Sequence, residues 1–289
     1  MIPVAFDYAA PTSVEEALSL LSEAGEDGKI LAGGQSLIPV LKLRMAAPSV
    51  LIDLGKIESL RGIRDQGDSL LIGAMTPHHE VATSPLVAEH LSLLSRATQT
   101  VADPQIRHRG TFGGALVHAD PAGDLPAPAL VLDAEFLIAG PGGSSRTVAA
   151  ADFFVDLFTT AVGENEILTH VRIPKKTGWL SSYQKFTRVA QQWSIVGVAA
   201  TFRMDGPTIA EARIGLTNMG SVPLRVGSVE QALVGCTLDE ESIARATASA
   251  GDGTKPPSDL NGGADYRRHL ASVLARRAIL GAAPVARAA

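Results

Sequence analysis

Two glycine pairs constrain this chain more than any other feature: Gly33–Gly34 in the run LAGGQSLIP and Gly113–Gly114 in GTFGGALVHADPAGDLP. Each lies beside a hydroxyl residue, Ser36 and Thr111 respectively. Glycine has no Cβ, so it lets a backbone come close to its neighbour. It also accepts a positive φ where successive N–H groups must turn towards one point. Taken singly, either pair reads as an ordinary turn, because short glycine motifs recur in turns. Taken jointly, as two loops facing one another, they would suit the many oxygens of a pyrophosphate, with a helix starting at Ser36 adding its free N–H groups. Neither pair fits G-x-G-x-x-G, so a Rossmann nicotinamide site is not indicated.

Composition narrows the function classes. The chain has 289 residues, 46% of them hydrophobic, ample for two or three domains. A net charge of −5 without a basic stripe, and 4% aromatic content, argue against nucleic acid as a partner. Cys236 is the single cysteine. It excludes a disulfide framework and any iron–sulfur or zinc-thiolate site built by this chain alone. The start MIPVAFDYAAP lacks the flank and apolar run of a secretory signal, and no stretch has transmembrane character. A cytoplasmic location is expected, with the inner face of the membrane as the alternative. His78 and His79 are adjacent, and His108 and His118 flank the second glycine pair, but no H-E-x-x-H spacing occurs and no metal site is expected. No G-x-S-x-G is present either, and Cys236 reads as a packing residue.

Along the chain, Thr12 or Ser13 with Glu15 and Glu16 marks a helix start, and Val14, Ala17, Leu18 and Leu21 share one face. KILAGG, SVLIDLG and SLLIGAMT read as strands, SLIPVLKLRM as a helix capped by Ser36, and Leu86–Ala102 as helical. The Gly- and Pro-rich stretch Ala102–Leu130 predicts a packed irregular loop. Within it Asp103, Asp120 and Asp124 have the setting of turn residues. AEFLIAG, RTVAAADFF and EILTHVRIP follow as strands, and KKTGW is a candidate boundary. Beyond it, consecutive strands from SSYQKFTRV to IAEARIGL precede helices, an α+β pattern. The last helix places Tyr266, Leu270, Val273 and Leu274 on its apolar face.

The segments AGGQSLIPVLKLRM, VLIDL and RGTFGGALVHADPAGDLPA, in that order and at that separation, resemble the FAD-binding medium subunit of molybdenum hydroxylases. That group includes carbon monoxide dehydrogenase, quinoline oxidoreductase and the flavin segment of xanthine dehydrogenase. The resemblance runs from FDYAAPTSVEEAL to the final helix and takes in EILTHVRIP and YQKFTRV. It implies an α+β fold: a two-part, PCMH-like FAD-binding region over residues 1–60 and 61–176, then a C-terminal α+β domain over 177–289. It implies that Ala32, Gly33, Gly34, Gln35 and Ser36 form the first pyrophosphate loop, and Thr111, Gly113 and Gly114 the second. Asp124 would contact FAD, Val101 would pack against the flavin, and Leu168 and Lys185 would lie near the isoalloxazine. Trp193 falls where some members carry an aromatic beside the ring. No residue of this chain would be catalytic in the bond-breaking sense. The resemblance further implies a small [2Fe–2S] subunit and a large molybdenum-cofactor subunit as partners, in a dimer of heterotrimers, with electrons passing from the clusters through FAD to an external acceptor.

Two positions depart from the pattern. Ala115 stands where many members have asparagine, which removes a side-chain hydrogen bond worth about 1 kcal/mol. Gln35 stands where carbon monoxide dehydrogenases usually show histidine, and with LVHADPAGDLP it looks more like enzymes hydroxylating organic substrates. The alternatives are a stand-alone flavin oxidase or reductase of related fold, and a non-enzymatic module whose glycines serve turns alone.

Overall fold

The computed structural model describes residues 1–282, and within them three larger β-sheets follow one another along the chain, with one two-stranded hairpin besides. The first is parallel, with β3 (Val50–Asp53) between β1 (Asp7–Ala9) and β2 (Gly28–Leu31). Helix α1 (Val14–Ala24) crosses over between β1 and β2, and α2 (Leu37–Lys42) follows β2. Ser13 starts α1 as expected: its Oγ accepts the Glu16 N–H at 3.1 Å, while the Glu16 carboxylate reaches back to the Thr12 N–H at 2.8 Å. Ala17, Leu18 and Leu21 are the buried face of that helix.

The second sheet is antiparallel, in the order β4 (Ile63–Asp65), β5 (Ser69–Gly73), β10 (Ile167–Pro174), β6 (Glu135–Ala139), β7 (Ser145–Ala149). Between β5 and β6 run six short helices: α3 (His78–Thr83), α4 (Pro85–His90), α5 (Ser92–Gln99), α6 (Pro104–Arg109), α7 (Phe112–His118) and α8 (Pro126–Val131). A short helix α9 (Ala150–Phe153) and the hairpin β8 (Phe154–Asp156) and β9 (Thr159–Thr160) complete this part. Its core holds Phe136 stacked on Phe153 at 3.6 Å between ring centroids, with Phe154 edge-on to both.

The third sheet is antiparallel in sequence order: β11 (Leu180–Phe186), β12 (Val196–Asp205), β13 (Thr208–Thr217), β14 (Leu224–Arg225). Helices α10 (Gly227–Leu233), α11 (Glu240–Thr247) and α12 (Ala264–Ala282) follow. Residues Val196–Phe202 of β12 are buried without alternation because both faces are covered. Helix α12 packs on β11 and β12, while α5 and α8 of the preceding part also pack against this sheet. Gly215 in β13 permits that approach, since a Cβ there would lie 2.6 Å from a Val131 methyl.

Three sequence expectations are corrected. The stretch 102–130 is largely helical. Its prolines and polar residues begin helices: Asp103 caps α6, Pro104 and Pro126 open α6 and α8, and Thr111 caps α7. The helical region 86–102 is interrupted at Leu91, whose φ of −135° and ψ of 51° are not helical. On α12 the buried side is Arg267, Leu270, Ala271, Leu274 and Ala275; Tyr266 is exposed and Val273 only half-buried. Phe136→Ala removes a ring with no solvent exposure from the stacked cluster, and chemical denaturation should show a loss of about 3–5 kcal/mol.

Candidate functional site

The first glycine motif is the link Ala32–Ser36 between β2 and α2. Gly34 has φ +72°, which an L side chain rarely adopts. Gly33 is needed for a different reason: its Cβ would lie 2.3 Å from the Arg109 carbonyl oxygen and 2.7 Å from the Gly110 Cα. The end of α6 therefore presses directly on the first motif. Among the described residues, the N–H groups of Gly33, Gly34, Gln35 and Ser36 donate to no protein acceptor. Gln35 Nε2 donates to the Gly33 carbonyl at 3.1 Å, and the Ser36 side chain makes no cap bond.

The second motif is built differently. Gly113 and Gly114 lie in the first turn of α7, where their N–H groups are already engaged. The Gly113 N–H donates to the Ala74 carbonyl at 2.8 Å, and the Gly114 N–H donates to Thr111 Oγ1 at 3.2 Å. A Cβ on Gly113 would collide with Ala74 at 2.5 Å, and one on Gly114 would meet Thr111 Oγ1 at 2.6 Å and the Ala32 methyl at 3.2 Å. The two motifs thus touch through Ala32 and Gly114, and through Gly33 and Gly110. The first motif thus carries a continuous row of open donors, whereas in the second, among the described residues, only the Thr111 N–H donates to no protein acceptor.

Beyond α7, the segment Asp120–Asp124 is stitched to the third sheet. Ser194 N–H donates to the Ala122 carbonyl at 3.3 Å and Asn218 N–H to the Pro121 carbonyl at 2.8 Å. Asp124, 6% exposed, accepts from Lys185 Nζ at 2.7 Å on one oxygen, and from Tyr183 Oη at 2.9 Å and Ser194 Oγ at 2.8 Å on the other. Burial pushes the Asp124 carboxyl above its ordinary range, and the ammonium and the two hydroxyls pull it back. Burial also pushes the Tyr183 phenol well up, and the Asp124 charge adds to this, so Tyr183 stays a donor. Lys185 Nζ additionally donates to the Thr100 carbonyl at 3.1 Å, and Arg107 Nη1 donates to the Val101 carbonyl at 2.7 Å. Together they hold the turn at Ala102, whose φ is +41°.

The structure thus brings Val101, Asp124 and Lys185 into one region and the two glycine motifs into another contact. Leu168 is buried in β10 beside an irregularity at Thr169, whose carbonyl receives the Ala74 N–H. Trp193 stands on the loop between β11 and β12, 52% exposed, next to Ser194. Sequence analysis singled out neither Ser194 nor Arg107, and it did not pair Tyr183 with Lys185. Tyr183 and Lys185 alternate on one face of β11, a signal that would have paired them.

Comparison with known proteins supplies the family. The family model described as the FAD binding domain in molybdopterin dehydrogenase matches residues 4–176, and that of the CO dehydrogenase flavoprotein C-terminal domain matches residues 181–282. This chain belongs to the molybdopterin dehydrogenase FAD-binding family. It is 41% identical to the carbon monoxide dehydrogenase medium chain of Hydrogenophaga pseudoflava, over 96% of this chain and 97% of that one. Among solved structures, that organism's carbon monoxide dehydrogenase lacking the Mo-pyranopterin moiety superposes with a TM-score of 0.94 at 42% identity, covering 98% of each chain. Quinoline 2-oxidoreductase from Pseudomonas putida 86 superposes at 0.93 with 34% identity, again over 98% of each.

The residues present fit the family's FAD. Unpartnered N–H groups on a turn that carries no acidic side chain suit a pyrophosphate. Behind that turn, His78 is 4% exposed, its backbone N–H donates to the Gly110 carbonyl, and its Nδ1 has no partner among the described residues. Burial, reinforced by the Arg107 charge, lowers its pKa from 6.5 to about 4. An unfolded chain therefore binds the extra proton between those values, and stability falls as pH drops from 6.5 towards 4. The full shift corresponds to roughly 3 kcal/mol. Thermal unfolding of the wild type should lose more of its midpoint between pH 7 and pH 4.5 than His78→Gln loses; parallel curves would contradict a buried neutral imidazole.

Proposed function

We propose that this chain is the FAD-carrying medium subunit of a heteromeric molybdenum hydroxylase. Electrons taken from substrate at a molybdenum cofactor in a large subunit would cross two [2Fe–2S] clusters of a small subunit and leave for an external acceptor through the FAD held here. The observation that carries this reading is the row of open N–H groups from Gly33 to Ser36, braced from behind by the second motif. One cysteine is too few to ligate a cluster, so the clusters must come from partners. A dimer of heterotrimers is the assembly we infer. The three sheets support a division into residues 1–60, 61–176 and 177–289. Among the described residues no helix is long and apolar enough to cross a membrane.

In this reading Ala32–Ser36 bind the pyrophosphate through backbone donors, and Thr111, Gly113 and Gly114 set the surface on which that loop rests. Val101, Leu168 and Trp193 supply apolar surface near the ring. Asp124 acts mainly through Lys185, whose charge reaches the ring region already paired. The ring site lies on the third sheet's near edge, and the substrate pocket would lie in another chain. Gln35 favours an organic substrate for the whole enzyme, whereas overall identity is higher to the carbon monoxide enzyme than to the quinoline enzyme.

Ser36→Asp separates ligand binding from folding. Aspartate is a good N-cap and should keep or raise the thermal midpoint, because Ser36 caps nothing at present. Its carboxylate would occupy the open N–H groups and repel the pyrophosphate. FAD affinity, read by fluorescence titration, should fall at least about tenfold, ~1.4 kcal/mol. Unchanged affinity would place the pyrophosphate elsewhere.

A further inference from the structure

Among the described residues Arg267 is the largest fully buried side chain, and neither glycine motif nor the Asp124 cluster accounts for it. It sits on α12, on the side facing the third sheet. Its Nη1 donates to the Ile195 carbonyl, its Nη2 to Asp259 Oδ1 at 2.7 Å, and its Nε to the Gly262 carbonyl at 3.4 Å. The same Asp259 oxygen accepts the Asn261 N–H at 2.8 Å, which fixes the turn before α12. From that turn Asn261 Oδ1 accepts Gln192 Nε2 at 3.1 Å, and Gln192 Oε1 in turn accepts the Arg188 N–H at 3.1 Å.

The loop between β11 and β12 is therefore held on both sides of Trp193. Gln192, before it, is tied to the Asp259–Gly262 turn; Ile195, after it, is tied to the guanidinium itself. Asn218 Nδ2 adds a bond to the Ser194 carbonyl at 2.8 Å, and Ser194 Oγ passes the constraint to Asp124. Trp193, half-exposed, belongs to none of the hydrophobic clusters of the described residues, so its place depends largely on its backbone neighbours. A buried charge is costly unless fully hydrogen-bonded, and a buried aliphatic side chain would fill the same space at lower cost. What arginine adds is a planar fork that holds two separate chain segments in one geometry.

We propose that Arg267 is a positioning residue for the flavin site: it fixes the Gln192–Ile195 segment so that Trp193 and the Ser194–Asp124 contact are in place before the ring binds. This rests on the reading of Trp193 and Lys185 as ring neighbours. The chain needs no contact between Arg267 and the cofactor.

The test uses the full-length chain with FAD and, separately, ADP, which engages the pyrophosphate loop but carries no flavin ring. Arg267→Met and Arg267→Lys are compared with Asn261→Ala, a partly exposed change that severs only the Gln192 tie. In a Trp179→Phe background Trp193 is the sole tryptophan. For Arg267→Met, FAD affinity should fall about tenfold while ADP affinity stays within twofold, and Trp193 emission of the FAD-free chain should become more accessible to acrylamide. Arg267→Lys should recover part of the FAD affinity, and Asn261→Ala should show the same pattern more weakly. Unchanged FAD affinity and quenching alongside a lowered thermal midpoint would overturn the proposal, as would parallel losses of FAD and ADP. If Arg267→Met does not fold, Asn261→Ala decides: an unchanged FAD affinity and Trp193 accessibility overturn it. A wild-type chain that binds neither FAD nor ADP would instead refute the flavoprotein reading itself.

Discussion

The carboxylate of Asp124 is the contact on which the site's architecture turns. It belongs to the segment that follows the second glycine motif, yet every partner of its oxygens comes from the third sheet or its β11–β12 loop. Burying a carboxylate and an ammonium costs several kcal/mol per ion, which their attraction and the added hydroxyl bonds offset. Such a pair adds little net stability. It does penalise any arrangement in which the sheet shifts away, because each charge would then be buried alone at a cost of about 3–5 kcal/mol. The pair thus specifies how the C-terminal part sits on the rest, while α5 and α8 packing on the sheet supplies the apolar area.

Around this contact the backbone takes conformations that ordinary segments avoid. Ala102, Ala119, Gln191 and Asn218 all have positive φ, and each lies next to the glycine motifs or the Asp124 cluster. Positions of this kind cost of order 1–3 kcal/mol and persist where surrounding bonds over-determine them. Here Arg107 and Lys185 hold the carbonyls on either side of the Ala102 turn, and Asn218 is fixed through both its N–H and its side-chain amide. These turns are hydrogen-bonded within the protein itself, an arrangement that would limit the ordering cost of binding.

Much of this was legible in the sequence. Alternating apolar residues and the Ser13 cap gave the strands and α1, and the two glycine motifs with their separation led to the family. What composition obscured was the region 102–130. Glycine and proline there suggested irregular chain, yet Pro104, Gly113, Gly114, Pro126 and Pro128 occupy helix first turns, where proline loses nothing and glycine permits close packing. The glycines themselves were read as serving a ligand. For Gly33, Gly113 and Gly114 the demand comes from neighbouring backbone and side chains, and it is the first motif that keeps a continuous row of open donors. Arg267 was hidden because a single arginine within YRRHLASVLARRA looks like part of a solvated basic face; its burial depends on a turn and a strand end that sequence spacing does not bring together.

The most direct measurement is the FAD dissociation constant of the full-length chain carrying Asp124→Asn, set against wild type at neutral pH. Asparagine keeps the shape and can still accept from Tyr183 and Ser194, but it leaves the Lys185 ammonium without its counter-charge. If the Asp124 cluster organises the flavin site, binding should weaken at least tenfold, about 1.4 kcal/mol or more. An affinity equal to wild type in a folded variant would contradict it.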